Sequence, residues 1–397
     1  MARALHLPAA RYPSPDEAHR LYTSISYPRV AYLHYSTIRR LLNCLSAVEY
    51  PTEAAMVRYL AVIDDMKATN IPVHFMDWRR CYRRVTNAEV GSALLIWREM
   101  EQEAGVRASH ITFNILFDIA SKAGKYQLAT MISKEMERRK MEFDRHFRAG
   151  MIMLCGMKGD GEAVRKAYRD LVDAGEIIDT AIMNCVLTAL LHAGEPTAAE
   201  QVFTRMKRMH NDRQSPRSAP ADWRQQRELG KLLRKAATEL REDPEGRQLL
   251  QDESPVGPDY GTYKVLISHY ACTAGNIDRV IELIEEMTGA YGISMRGDMY
   301  FRLFDGFEIH GGVRYSSWTK AKLESTWEAF LSALDEEDTN FFLSGRFVVK
   351  IIYAYAKVTS TARTIEVWEE IQQRWQPSNA DKDTMSKIVR KLFPDEV

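Results

Sequence analysis

Apolar residues recur along this chain at helical spacing and nowhere sustain strict alternation, so the pattern predicts helices and no sheet. The clearest stretch runs from His110 to Asp144. Ile111, Phe113, Leu116, Phe117, Ile119 and Ala120 share one stripe, and Lys122-Ala123-Gly124-Lys125 is a turn with Gly where a helix C-terminus favours it. Tyr126, Leu128, Ala129, Ile132 and Met136 form a second stripe. The unit therefore reads as two helices of about twelve residues each, antiparallel because their turn is short. Neither helix buries its stripe alone, so the unit requires a neighbour of the same kind.

Arg145 opens a second unit and Thr180 a third, each 35 positions after the last. Asp144 and Asp179 close the first two, and Gly124, Gly159 and Gly194 mark the inter-helix turns. The third unit continues with Met183-Asn184, Ala199, Val202-Phe203 and Met206. After Met206 the period breaks, Pro258-Asp259 restores it, and Tyr260 to about Arg296 is a further, slightly lengthened unit. Flanking pairs are predicted at Thr37–Leu45 with Thr52–Met66 and at Met76–Val85 with Val90–Met100. Later ones are predicted at Met299–Ile309 with Thr319–Leu334 and at Arg346–Lys357 with Thr361–Trp375. A last helix at Asp381–Leu392, carrying Lys382, Lys387, Arg390 and Lys391, suits a polar end cap. Met66, Met100, Met136, Met206 and Met287 align near the ends of second helices and are expected to fill gaps in the core.

A fixed period of this length predicts an all-α solenoid. Its organisation reads as an extended leader over residues 1–30, repeats over 31–210, a charged insert over 211–257, repeats over 258–376 and a capping helix over 377–397. Pro8, Pro13, Pro15 and Pro28 punctuate the leader. The insert, with one helix expected from Trp223 to Leu240, is expected to loop from the solenoid surface and to be dispensable for folding.

The segments ITFNILFDIASKAGKYQLATMISKEM and GTYKVLISHYACTAGNIDRVIELIEEM resemble the repeat of the pentatricopeptide-repeat (PPR) family. The related tetratricopeptide period is one residue shorter and favours Trp and Tyr in the first helix, which these units lack. The resemblance is specific from Phe75 to Met206 and from Pro258 to Met287. It implies a right-handed α-solenoid of helix-turn-helix repeats whose first helices line a groove for single-stranded RNA. It also implies that the fifth and last residues of a repeat read one base edge, with the second residue sandwiching the base. On that pattern Asn114 pairs with Asp144, with Ile111 as the sandwiching residue, a combination associated with uracil. Ala149 with Asp179 and His146 departs from it, because Ala cannot hydrogen-bond a base. Asn184 loses its nominal partner to the insert, and Asp259 replaces it only if the insert loops out cleanly. Lys264 with Arg296 is off-pattern. The residues alone also read plainly: an Asp before a helix is a good N-cap, and Asn near a helix start is satisfied by solvent or backbone.

Charge changes this picture only locally. Lys plus Arg and Asp plus Glu are 54 each in 397 residues, so no global field draws the chain to nucleic acid. Trp78 to Arg84 is the strongest basic patch on a first helix, with Arg79 and Arg83 sharing a face and Arg39-Arg40 extending the stripe. Its aromatics pack inward on the bland reading and stack unpaired bases on the functional one. The insert is basic from Arg205 to Lys235 and acidic from Glu239 to Glu253, and its basic half is a candidate contact for RNA phosphate or an acidic protein.

The five cysteines lack metal-ligand spacing, no catalytic motif is present, and no cofactor or enzymatic activity is expected. No apolar run is long enough to span a membrane. No catalytic domain is expected after Leu392. The family resemblance, with an Arg-containing, acid-poor N-terminus that reads equally as a plain leader, leads to the mitochondrial matrix as the expected location. The expected function is RNA binding in transcript stability, processing or translation. The alternative is a non-enzymatic scaffold, for instance a structural component of a mitochondrial ribosome.

Overall fold

A computed structural model of the protein describes residues 15–46, 53–69, 71, 90–103, 105–211, 223–254, 256–335, 343–375, 377 and 379–392. Among them every regular element is helical and there is no strand. The predicted helix Met76–Val85 and the first fourteen residues lie outside the described residues. Packing divides the chain into two compact units, Met1–Glu200 with Pro220–Ser254, and Gln201–Ala219 with Pro255–Val397.

The first unit opens with α1 (Pro15–Thr23), α2 (Tyr35–Ser46), α3 (Glu53–Ala68) and α4 (Val90–Arg98), which continues as a π-helical turn, Glu99–Glu103. Three helix pairs follow: α5 (His110–Lys122) with α6 (Tyr126–Arg138), α7 (Arg145–Met157) with α8 (Gly161–Asp173), and α9 (Thr180–His192) with α10 (Pro196–Asn211). α10 runs across the boundary between the units. Two further helices, α11 (Trp223–Glu239) and α12 (Pro244–Glu253), belong to the first unit.

In the second unit α13 (Tyr260–Ser268) and α14 (Ile277–Glu285) each end in a π-helical turn. The pairs α15 (Gly297–His310) with α16 (Lys320–Asp335) and α17 (Gly345–Val358) with α18 (Thr361–Arg374) follow, then α19 (Asn379–Leu392).

Polar side chains start these helices where the sequence places them. Ser109, Asp144, Asp160 and Asp179 cap α5, α7, α8 and α9, each accepting a backbone N–H of the first turn. The first helices end on Gly124, Gly159 and Gly194, all at positive φ. That conformation lets the next amide turn back onto the helix, as in Asp160 N–H to the Cys155 carbonyl at 3.1 Å.

The pairs then stack. Phe113, Leu116 and Phe117 of α5 share a core with Ala129, Ile132 and Met136 of α6 and with Phe147 and Leu154 of α7. Full burial of side chains of this size stabilises by about 1.5–3 kcal/mol each. All five aligned methionines are fully buried, as the pattern predicted. Where α7 crosses α9 the backbones almost touch, since a Cβ on Gly156 would lie 2.4 Å from the Ala189 carbonyl oxygen. Arg139 ties the end of α6 to the π turn after α4, bonding Glu101 at 2.6 and 3.0 Å with its guanidinium 5.0 Å from the Phe113 ring. That bond holds the Glu101 carboxyl below the usual range.

Two expectations give way here. Residues 15–23 are helical, not extended: Pro15 sits at the first helical position, where its missing N–H costs nothing, and Asp16 and Glu17 favour the first turn. Tyr22 of α1 is buried, and its hydroxyl donates to Asp65 of α3 at 2.5 Å. The described part of the insert does not loop away either. Gln251 of α12 accepts the Ile178 N–H at 2.7 Å and donates to the Ile178 carbonyl at 2.9 Å, pairing both polar groups of a buried residue. Leu233 of α11 is buried, Arg247 lies against Gly175, and Arg241 pairs with Glu142 at 3.3 Å. These contacts make the second half of the insert part of the first unit.

Gln251→Ala leaves the Ile178 backbone without its partners and is expected to destabilise the protein by about 1–3 kcal/mol. Urea unfolding checks this, and an unchanged midpoint would return the insert to the role of a solvated loop.

Candidate functional site

The 35-residue register brings the ends of each repeat together. The last residue stands just before the following first helix, which Asp144 and Asp179 cap with their side chains and Arg296 of the longer Tyr260–Arg296 unit does not, and it meets the first residue of its own repeat. His110 Nε2 lies 3.9 Å from Asp144 Oδ2, Arg145 Nη2 lies 2.5 Å from Asp179 Oδ1, and the Arg296 guanidinium sits 4.1 Å from the centre of the Tyr260 ring. The same junction thus holds a loose pair, a tight ion pair and a cation–π contact.

At the first junction the expected pair is present. Asn114, on α5, donates from Nδ2 to Asp144 Oδ1 at 2.8 Å, and the same oxygen accepts the Phe147 N–H at 2.9 Å. A carboxylate only accepts, so the amide must turn its NH2 toward Asp144 and its oxygen away. Asn114 Oδ1 and Asp144 Oδ2 are both buried atoms without a hydrogen-bond partner. Among the described residues neither acceptor has a hydrogen-bond donor, His110 Nε2 standing 3.9 Å from Asp144 Oδ2. Ile111 stands half-buried one turn earlier on α5, its N–H capped by Ser109 Oγ at 3.2 Å.

The second junction differs. Asp179 is 1% exposed, caps Ile182 at 3.0 Å and is held by Arg145, which is itself buried and also donates to the Ile177 carbonyl. Cap and ion pair absorb this carboxylate, so the N-cap reading of Asp179 prevails over base contact. Its partner position is Ala149, while His146 is exposed. Glu176 lies in the same junction, where burial pushes its carboxyl up against the pull of Arg145, Arg148 and Arg234 of α11.

Asn184 is half-buried on α9, and its backbone carbonyl accepts the Thr188 hydroxyl at 2.7 Å. Asp259 forms a reciprocal capping box with Thr262, accepting its N–H at 2.8 Å. The two fall in different units. Lys264 pairs with Asp298 at 2.5 Å and not with Arg296.

Arg79 and Arg83 lie outside the described residues, as do residues 212–222 of the basic segment. On its described part, Lys207 meets Glu286 at 3.0 Å, Lys231 meets Glu228 at 2.5 Å and Lys235 meets Glu239 at 3.5 Å. Residue-by-residue reading missed His110 and Arg145. The signal was available, since both occupy the first column of the register.

Among the described residues no group of three or more His, Cys, Asp or Glu is placed to hold a metal ion, and no helix is long and apolar enough to cross a membrane. Burial pushes the Cys185 thiol up to about 12, so it stays a protonated core group.

The family profile described as the PPR repeat matches residues 111–141 and 181–210. Solved structures of the pentatricopeptide repeat protein PPR10 are similar to the chain. PPR10 in complex with an 18-nt psaJ RNA element is 16% identical over 92% of this chain and 53% of its own, with a TM-score of 0.38. PPR10 from maize is 15% identical over 96% and 57%, with a TM-score of 0.33. The chain spans about half the length of these proteins. No curated protein sequence matches it.

Removing Arg145 tests whether Asp179 is structural. Arg145→Ala leaves a buried carboxylate without its cation and is expected to cost about 3–5 kcal/mol in urea unfolding. A loss under 1 kcal/mol, of the size typical for an exposed pair, would instead place Asp179 within reach of a ligand.

Proposed function

We propose that the chain is a pentatricopeptide-repeat protein that binds single-stranded RNA, with Asn114 and Asp144 reading a uracil. The carrying observation is the amide whose orientation Asp144 fixes. Asn114 Oδ1 is an oriented acceptor with no hydrogen-bond donor among the described residues. Uracil presents N3–H, a donor that matches it, whereas cytosine presents a lone pair at N3 and would be repelled. Because the oxygen is unpaired in the free protein, the donor arriving with the base restores a bond already forgone. Ile111, on the same helix, is placed to pack against the base face. Arg79, Arg83 and the basic segment from Arg205 to Lys235 would add phosphate contacts that are indifferent to sequence.

The setting we propose is the mitochondrial matrix, with the protein acting on a transcript or ribosomal RNA in stability, processing or translation, and without chemistry of its own. The family resemblance supports it. One observation favours a second reading. The Arg145–Asp179 repeat pairs Ala149 with a carboxylate locked in an ion pair, so it offers no hydrogen bond to a base. A chain with such repeats also suits a scaffold, such as a structural component of a mitochondrial ribosome or another assembly.

Asn114→Ala is expected to weaken binding of a uracil-bearing oligonucleotide by about 1 kcal/mol, roughly fivefold, and to erase uracil-over-cytosine preference at one position only. Anisotropy titrations with oligonucleotides substituted one position at a time check this. An unchanged preference would sink the base-reading proposal and leave the scaffold.

A further inference from the structure

Helices α18 and α19 face each other across a cavity of about 530 Å³. Trp368 and Gln372 line one wall, with Trp375 just beyond the end of α18. Lys382, Met385, Ser386 and Arg390 line the other, spaced so that one face of α19 carries them all. Trp375 and Met385 are buried and form the floor, whereas Trp368 is half-buried, and Lys382 and Arg390 are exposed. The two indoles meet edge to face, with centroids 6.2 Å apart. That contact props the Trp368 ring from one side.

The electrostatics are one-signed. Among the described residues no carboxylate lines the cavity, and neither Lys382 nor Arg390 has an ion-pair partner. Asp381, the acid beside Lys382, is turned away toward the start of α17, where a Cβ on Gly345 would collide with its Oδ1. An aromatic face, two exposed cations and a volume within the usual range of ligand pockets together describe a receptor for a flat, anionic group.

We propose that this cavity is a nucleotide subsite: an unpaired base of the bound RNA stacks on Trp368 while its flanking phosphates meet Lys382 and Arg390. The subsite rests on the RNA-binding reading above and adds a contact of another kind. Every base has a π face, so the subsite adds affinity without sequence preference. Recognition by repeat positions and grip by the cavity are therefore separable.

The test titrates fluorescein-labelled oligo(U) and oligo(A) at several salt concentrations against the full chain and three variants. Trp368→Ala is expected to weaken both homopolymers equally, by roughly five- to tenfold. Trp368→Phe keeps an aromatic face and retains most of the affinity, which separates stacking from loss of fold. Lys382→Ala with Arg390→Ala flattens the slope of log K against log salt by about 1.4, at roughly 0.7 per phosphate contact. Wild-type affinity and slope in every variant would overturn the subsite, as would saturation by uridine monophosphate as tight as by the oligonucleotides, which would mark a site for free nucleotide. A full chain that binds neither RNA overturns the RNA-binding reading itself, a result distinct from either.

Discussion

The hydrogen bond from a first-turn amide to the carboxylate of the preceding repeat is what the remaining geometry depends on. Asp144, Asp179 and Asp259 each make it. As an N-cap it satisfies a backbone donor that would otherwise be unpaired, and it fixes where the next helix begins. A carboxylate held there is also carried beside the first helix of its own repeat. What it does next depends on the residues it meets. At Asp144 it meets Asn114, orients the amide and leaves two acceptors open. At Asp179 it meets Arg145 and is spent. One structural bond thus produces a readable position in one repeat and a closed one in the next.

The second constraint is that no helix pair buries its stripe alone. The buried methionines, the Phe113–Phe147 core and the close approach of Gly156 to Ala189 all answer it. The insert answers it too. By supplying Gln251 to a buried residue of the Gly175–Asp179 segment, it covers the end of the repeat whose carboxylate is closed. Arg234 and Arg247 bring its charge to the same segment.

Local pattern carried far in this chain. Helices α5 to α9 follow from stripe, cap and turn glycine, because each signal acts within a few residues and all three agree. The Asn114–Asp144 pairing was legible only through the repeat register, which links residues thirty positions apart. What local pattern could not supply are contacts without periodicity. The Tyr22–Asp65 bond spans 43 positions and the Gln251–Ile178 pair spans 73. For that reason the helix Pro15–Thr23 read as part of a proline-punctuated leader and the insert as a loop. The Arg145–Asp179 ion pair escaped for a subtler reason: its two residues belong to columns of the register that were read separately.

The central claim is that Asp144 acts on RNA through Asn114, and a double-mutant cycle tests it most directly. Asp144→Ser keeps an N-cap of comparable strength while removing the carboxylate that orients the amide. Affinity for a uracil-bearing oligonucleotide is measured for the wild-type chain, Asn114→Ala, Asp144→Ser and the double variant. If the carboxylate works by orienting Asn114, the second substitution adds little to the first, with a coupling energy of at least about 0.5 kcal/mol. Effects that add to within about 0.3 kcal/mol would mean the two residues act independently, and would contradict the account.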